Sequence, residues 1–149
     1  MAISIPGFEN IRNLSEGGSS TIYRAVWALS REVVAVKVAK SGYEDRIRKE
    51  AGIQYKLSNQ NSPHPHIVTV ISSGDTIDDT PYFAMELMDE NLKAVLRRGL
   101  PDLDRSLTYL DQILGGLGEA HDKEIVYLLT DRTLVNLGIA RYSQQPTNI

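Results

Sequence analysis

The chain has 149 residues, no cysteine, and 16 basic against 19 acidic side chains, a formal charge of −3. That length fits one domain, and 42% hydrophobic with 23% charged residues is the balance of a globular protein. The slight acidity leaves no bulk positive field for nucleic acid, no apolar run approaches the ~18 residues of a membrane span, and the absence of cysteine removes disulfides, thiolate metal sites and thiol nucleophiles. The opening MAISIPGFENIRN has no basic stretch leading into an apolar one, so no secretory signal is expected and the chain reads as cytoplasmic.

In chain order the pattern is α+β. Three strands are expected between Asn10 and Ala39, with a small-residue turn at 16–20 and a second turn near 29–32. Their β-branched enrichment and turn-bounded lengths favour antiparallel hairpins. From Glu44 to Leu57 the spacing of Ile47, Ala51, Gln54 and Leu57 predicts a helix. Pro63 and Pro65 close it, because two prolines in three positions cannot continue a helix. Strands are expected again over Ile67–Ser73 and Pro81–Met88, and a short helix over Asn91–Arg98, stopped by Gly99. A longer helix is predicted from Asp104 to His121, with Leu107, Leu110, Ile113, Leu114 and Leu117 as its buried face. The end reads as a small hairpin over 125–139, turned at Asp131 and Arg132.

A small-residue turn between strands, followed by a strand bearing Lys37, suits phosphate. At Gly17 and Gly18 backbone N–H groups can approach an anion closely, and a lysine adds a compact charge with three donors. Such turns are also common in plain hairpins, and the turn by itself selects nothing. His64 and His66 sit beside prolines and are read as structural or solvated.

LSEGGSSTIYRA, VVAVKVAK, IRKEAGIQYKLS, HPHIV and PYFAMELMDENL follow one another along the chain. In this order they resemble, over Ile11–Met88, the N-terminal lobe of the eukaryotic-type Ser/Thr protein kinases. The resemblance implies a five-stranded antiparallel sheet with one large helix against it, residues 8–88 forming this lobe and 89–149 a reduced second lobe of a single domain. It makes Lys37 the lysine that holds the α- and β-phosphates of ATP and Glu50 its helix partner. Ile22 and Ala35 become walls of the adenine pocket, Met85 the gatekeeper, and Glu86, Leu87 and Met88 the hinge that bonds adenine through its backbone.

Two departures bear on activity. The glycine-rich loop reads Ser15-Glu16-Gly17-Gly18-Ser19-Ser20, and only Gly17 falls on one of the family's three glycine positions. Serine has a narrower φ range than glycine, which lowers the expected nucleotide affinity. Beyond Val126 the sequence runs YLLTDRTLVNLGIAR, with neither HRDxKxxN nor DFG. Those motifs carry the catalytic aspartate and the metal-binding Asn and Asp. Asp131 falls in the expected turn, and Asn136 alone is a poor magnesium ligand. The sequence therefore implies a minimal pseudokinase, with weak ATP binding, no magnesium and no catalytic residue, acting through a protein partner or a second copy at the Leu107–Leu117 helix. The alternatives are an active small kinase completed by a partner or second subunit, and an engineered or deleted scaffold. Metal-dependent turnover that depends on Lys37 would mark the former.

Overall fold

The computed structural model describes residues 3–58 and 63–125. They fall into two compact units, one comprising the described residues of 3–58 and 69–87, the other those of 63–68 and 88–125. The expected hairpin at 125–139, with Tyr127, Asp131 and Asn136, lies outside the described residues.

The first unit is a five-stranded antiparallel sheet in the order β1-β2-β3-β5-β4 with one helix against it. Its strands are β1 (Phe8–Glu16), β2 (Ser20–Trp27), β3 (Val33–Ala39), β4 (Val70–Asp75) and β5 (Pro81–Glu86), and its helix is α1 (Glu44–Leu57). β3 is the middle strand and is buried from Val34 onward, which is why VVAVKVA is nearly uninterrupted by polar groups. Alternation along it separates two cores. Val34, Val36 and Val38 join Ile5, Phe8, Ala25, Tyr82 and Ala84 on one side. There Phe8 meets Tyr82 edge to face at 5.7 Å, and burial pushes the Tyr82 phenol above its ordinary pKa. On the other side Ala39, Phe83 and Val70 pack with Ile47 of α1. Arg48 of α1 donates to Asp75 of β4 at 2.6 Å, an exposed pair that keeps the Arg48 guanidinium above its ordinary pKa.

The strand expected over Ile67–Ser73 begins three residues later, at Val70. Ile67 and Val68 are buried without being in a strand, and the Ile67 N–H donates to the His64 carbonyl at 3.2 Å in the turn that the two prolines impose. The strand expected to reach Met88 ends at Glu86.

The second unit holds α2 (Leu92–Arg97) and α3 (Leu103–Asp122). Each is capped by a side chain that accepts from a free backbone N–H of its first turn. Asn91 accepts from Ala94 and Asp102 from Arg105, both at 2.9 Å. Gly99, at φ +131°, follows α2 in a conformation that side chains rarely adopt. Replacing Asp102 by Ala is expected to cost about 1 kcal/mol, read as a lower denaturant midpoint with an unchanged slope. Beside α2, Arg98 pairs with Glu90 and holds its carboxyl below the ordinary range.

The buried face of α3 meets the predicted one only at Ile113 and Leu117, which are half-buried. Tyr109, Gly116 and Ala120 are buried, whereas Leu107, Leu110 and Leu114 remain 53%, 51% and 57% exposed. Apolar periodicity locates a hydrophobic stripe but does not say what covers it. Here the small side chains Gly116 and Ala120 lie in the packed face, and they contribute little to a hydrophobicity pattern. Among the described residues no helix is long and apolar enough to cross a membrane.

Candidate functional site

The sheet face beneath α1 gathers most of the predicted site residues. Directly opposed residues of an antiparallel pair share a face, as do residues two apart on one strand. Ile22 of β2 opposes Lys37 of β3, which opposes Phe83 of β5. One step along, Ala35 opposes Met85. Ile22, Lys37, Ala35 and Met85 therefore line the same surface, and Met85 also packs against the core formed with α1.

Lys37 is 3% exposed, a burial that an ammonium tolerates only when paired. Its partner is Glu50 of α1, whose carboxylate accepts from Lys37 Nζ. Glu50 sits one turn beyond Ile47, the residue that seats α1 on the sheet, so the packing of Ile47 sets the position of the carboxylate. The Phe83 ring lies 5.7 Å from Lys37 Nζ, so the cation also faces an aromatic π-cloud. Phe83 has no counterpart among the residues picked out from the sequence, where an apolar strand residue gives no sign of supporting a charge.

The turn between β1 and β2 is tied down on both sides. The Gly17 N–H donates to the Ser20 carbonyl at 2.9 Å, and the Lys40 N–H donates to the Ser19 carbonyl at 3.0 Å. The Glu16 carboxylate accepts from Asn13 at 3.2 Å and from Lys40 Nζ at 3.4 Å. Neither Gly17 nor Gly18 has a positive φ, and a Cβ on Gly18 would meet nothing within 4 Å. What these glycines supply is room at the exposed tip, while Ser19 and Ser20 are buried at its base.

Glu86 has its carboxylate occupied, because it accepts from the Thr69 N–H at 2.8 Å while its own N–H donates to the Thr69 carbonyl at 3.1 Å. This latch joins β5 to the entry of β4 and has no signal in the sequence. Met88 belongs to the second unit. Among the described residues no three His, Asp or Glu side chains converge as a metal site. In the second unit His66 donates its backbone N–H to His64 Nδ1 at 3.2 Å, and a Cβ on Gly115 would lie 3.3 Å from the His66 ring. These histidines are engaged with each other and with α3.

Chemically, this surface offers one buried ammonium, held by a carboxylate and with further N–H donors to give, between apolar side chains and an anchored, open-tipped turn. A paired ammonium beside an apolar shelf is chemistry that suits an anion carrying an apolar group. The protein kinase domain family matches residues 8–128. The serine/threonine-protein kinase PknK of Mycobacterium tuberculosis H37Rv is 31% identical over 91% of this chain, which spans 13% of that protein. Aurora kinase B of Danio rerio is 28% identical over 84% of the chain and 40% of its own length. Among solved structures, the PknI kinase domain of M. tuberculosis shares the fold at a TM-score of 0.68 and 20% identity, covering 93% of this chain and 62% of that one. With the five-stranded sheet, its helix and the Lys37–Glu50 pair in place, the chain belongs to the protein kinase domain family, in its eukaryotic-type Ser/Thr group.

Proposed function

We propose that this chain is a minimal pseudokinase: it holds an adenine nucleotide weakly and without magnesium, transfers no phosphate, and works by binding protein. The observation that carries the reading is the buried Lys37–Glu50 pair, set in a sequence without HRDxKxxN or DFG. A lysine oriented by a glutamate is of use to a phosphate before any reaction. Phosphoryl transfer needs in addition the carboxylates and the amide that hold magnesium and accept the hydroxyl proton. With those absent, Lys37 supplies the charge for the phosphates, Glu50 fixes its direction, and Ile22, Ala35 and Met85 supply the apolar walls for the base.

The test is transfer of labelled γ-phosphate from ATP with magnesium to a generic protein acceptor. The expected result is no transfer above that of the K37A variant. Lys37-dependent transfer would establish the alternative, an active kinase completed by a second subunit.

The exposed leucines of α3 favour the protein-binding half of this reading. Leu103, Leu107, Leu110 and Leu114 follow one another at helical spacing and are all at least half exposed. Covering apolar surface is worth roughly 25 cal/mol per Å², and an uncovered stripe of this kind fits a protein partner or a second copy. Light scattering of the chain is expected to give a mass above that of a monomer, and L110D is expected to return it to the monomer. A monomeric mass for the unsubstituted chain would count against a second copy at this stripe.

A further inference from the structure

Two arginines stand side by side on β1 and β2. Arg12 opposes Arg24 across the strands, and Arg24 in turn opposes Ala35 of β3. Ala35 is two residues from Lys37, so both arginines belong to the sheet face that carries Lys37. The opposite face is taken by the core of Ala25, Val34 and Val36, against which Ile11 and Tyr23, the neighbours of the two arginines, are packed.

Like charges directly opposed on a strand pair repel. Among the described residues of this unit, the acids around this edge are engaged elsewhere. Glu9 accepts from Arg31 at 2.7 Å, Glu16 from Asn13 and Lys40, and Glu86 from the Thr69 N–H. Neither Arg12 nor Arg24 has a hydrogen-bond or ion-pair partner among the described residues. Among the described residues the face thus carries two adjacent guanidinium groups with no acid paired to them, each a planar fork that matches phosphate oxygens in pairs.

We infer that Arg12 and Arg24 form a second anion subsite of the same cradle, one that takes a phosphate on the ribose of the nucleotide. This rests on the nucleotide reading above. Strand geometry places the backbone of Arg24 and Arg12 about 8–12 Å from that of Lys37, one and two strands over and one pleat repeat along. That is the scale that separates the 5′-polyphosphate of a nucleotide from the 2′ and 3′ oxygens of its ribose. Ala35, a wall of the base pocket in this reading, lies in the same row as the arginines. A ligand that bonds Lys37 and rests on Ala35 therefore passes beside them. An acidic peptide would meet the arginines but has no base for the apolar shelf.

The probes are AMP, adenosine 2′,5′-bisphosphate and adenosine 3′,5′-bisphosphate, each competing with a fluorescent ATP analogue on the full chain. One bisphosphate is expected to bind about tenfold more tightly than AMP, with a gap that narrows as salt rises, and the favoured isomer identifies the ribose oxygen. R24Q is expected to close most of the gap. R24K, which keeps the charge but loses the fork, is expected to close part of it. Circular dichroism checks that both variants are folded. Equal binding of AMP and both bisphosphates, or a gap that survives R12Q/R24Q, would overturn the subsite and leave the cradle standing. If the ATP analogue itself does not bind, the cradle reading falls and the subsite with it.

Discussion

Replacing Lys37 by methionine is expected to abolish nucleotide binding and to destabilise the ligand-free protein by about 3 kcal/mol. The two losses have one origin. Lys37 and Glu50 are removed from water together, and deleting one member of a buried pair leaves the other charge without its counterion, at a cost of about 3–5 kcal/mol. Glu50 keeps some contact with solvent, which places the effect at the lower end. Replacing both members with apolar side chains of similar size removes the stranded charge. K37M/E50L should therefore recover most of the stability while remaining unable to bind nucleotide. Urea unfolding of the two variants checks this. A double variant as unstable as K37M would mean that the pair does not act as a unit.

Phe83→Ala is expected to cost about 3–5 kcal/mol, a large share of the roughly 5–15 kcal/mol that holds a domain together. Phe83 is fully buried between Ile47 of α1 and Val70 of β4, and its ring also faces Lys37 Nζ. The substitution opens a cavity where the helix meets the sheet, so Glu50 loses its fixed position as well. Phe83→Leu, which retains most of the volume, should cost far less and weaken nucleotide binding only modestly. Thermal unfolding followed by circular dichroism separates the two variants. Similar melting for Phe83→Ala and the unsubstituted chain would show that α1 is not seated through this ring.

Much of the architecture was legible because local signals agreed. The helix expected at Glu44–Leu57 is α1 residue for residue, since Ile47, Gln54 and Leu57 fall on its buried face. Asn91, expected as the start of a helix, is the cap of α2. The family motifs implied five antiparallel strands but not their order, because the crossover that puts β5 between β3 and β4 leaves no mark on any one segment. In the site, Lys37 and Glu50 could be named from motif order, and the structure joins them. Phe83 beneath the lysine and the Thr69–Glu86 latch could not be named, because both depend on strand register. The α3 stripe was assigned only in part, because leucine dominates a hydrophobicity pattern, whereas full burial there falls on Tyr109, Gly116 and Ala120, with Ile113 and Leu117 half-buried.

Titration of the full chain with a fluorescent ATP analogue, with magnesium and again with chelator, is the most direct test. If the cradle has kept its lysine without its metal ligands, the analogue binds with the same affinity in both conditions, and K37M abolishes binding in each. Binding that requires magnesium, or that survives K37M, would contradict the account.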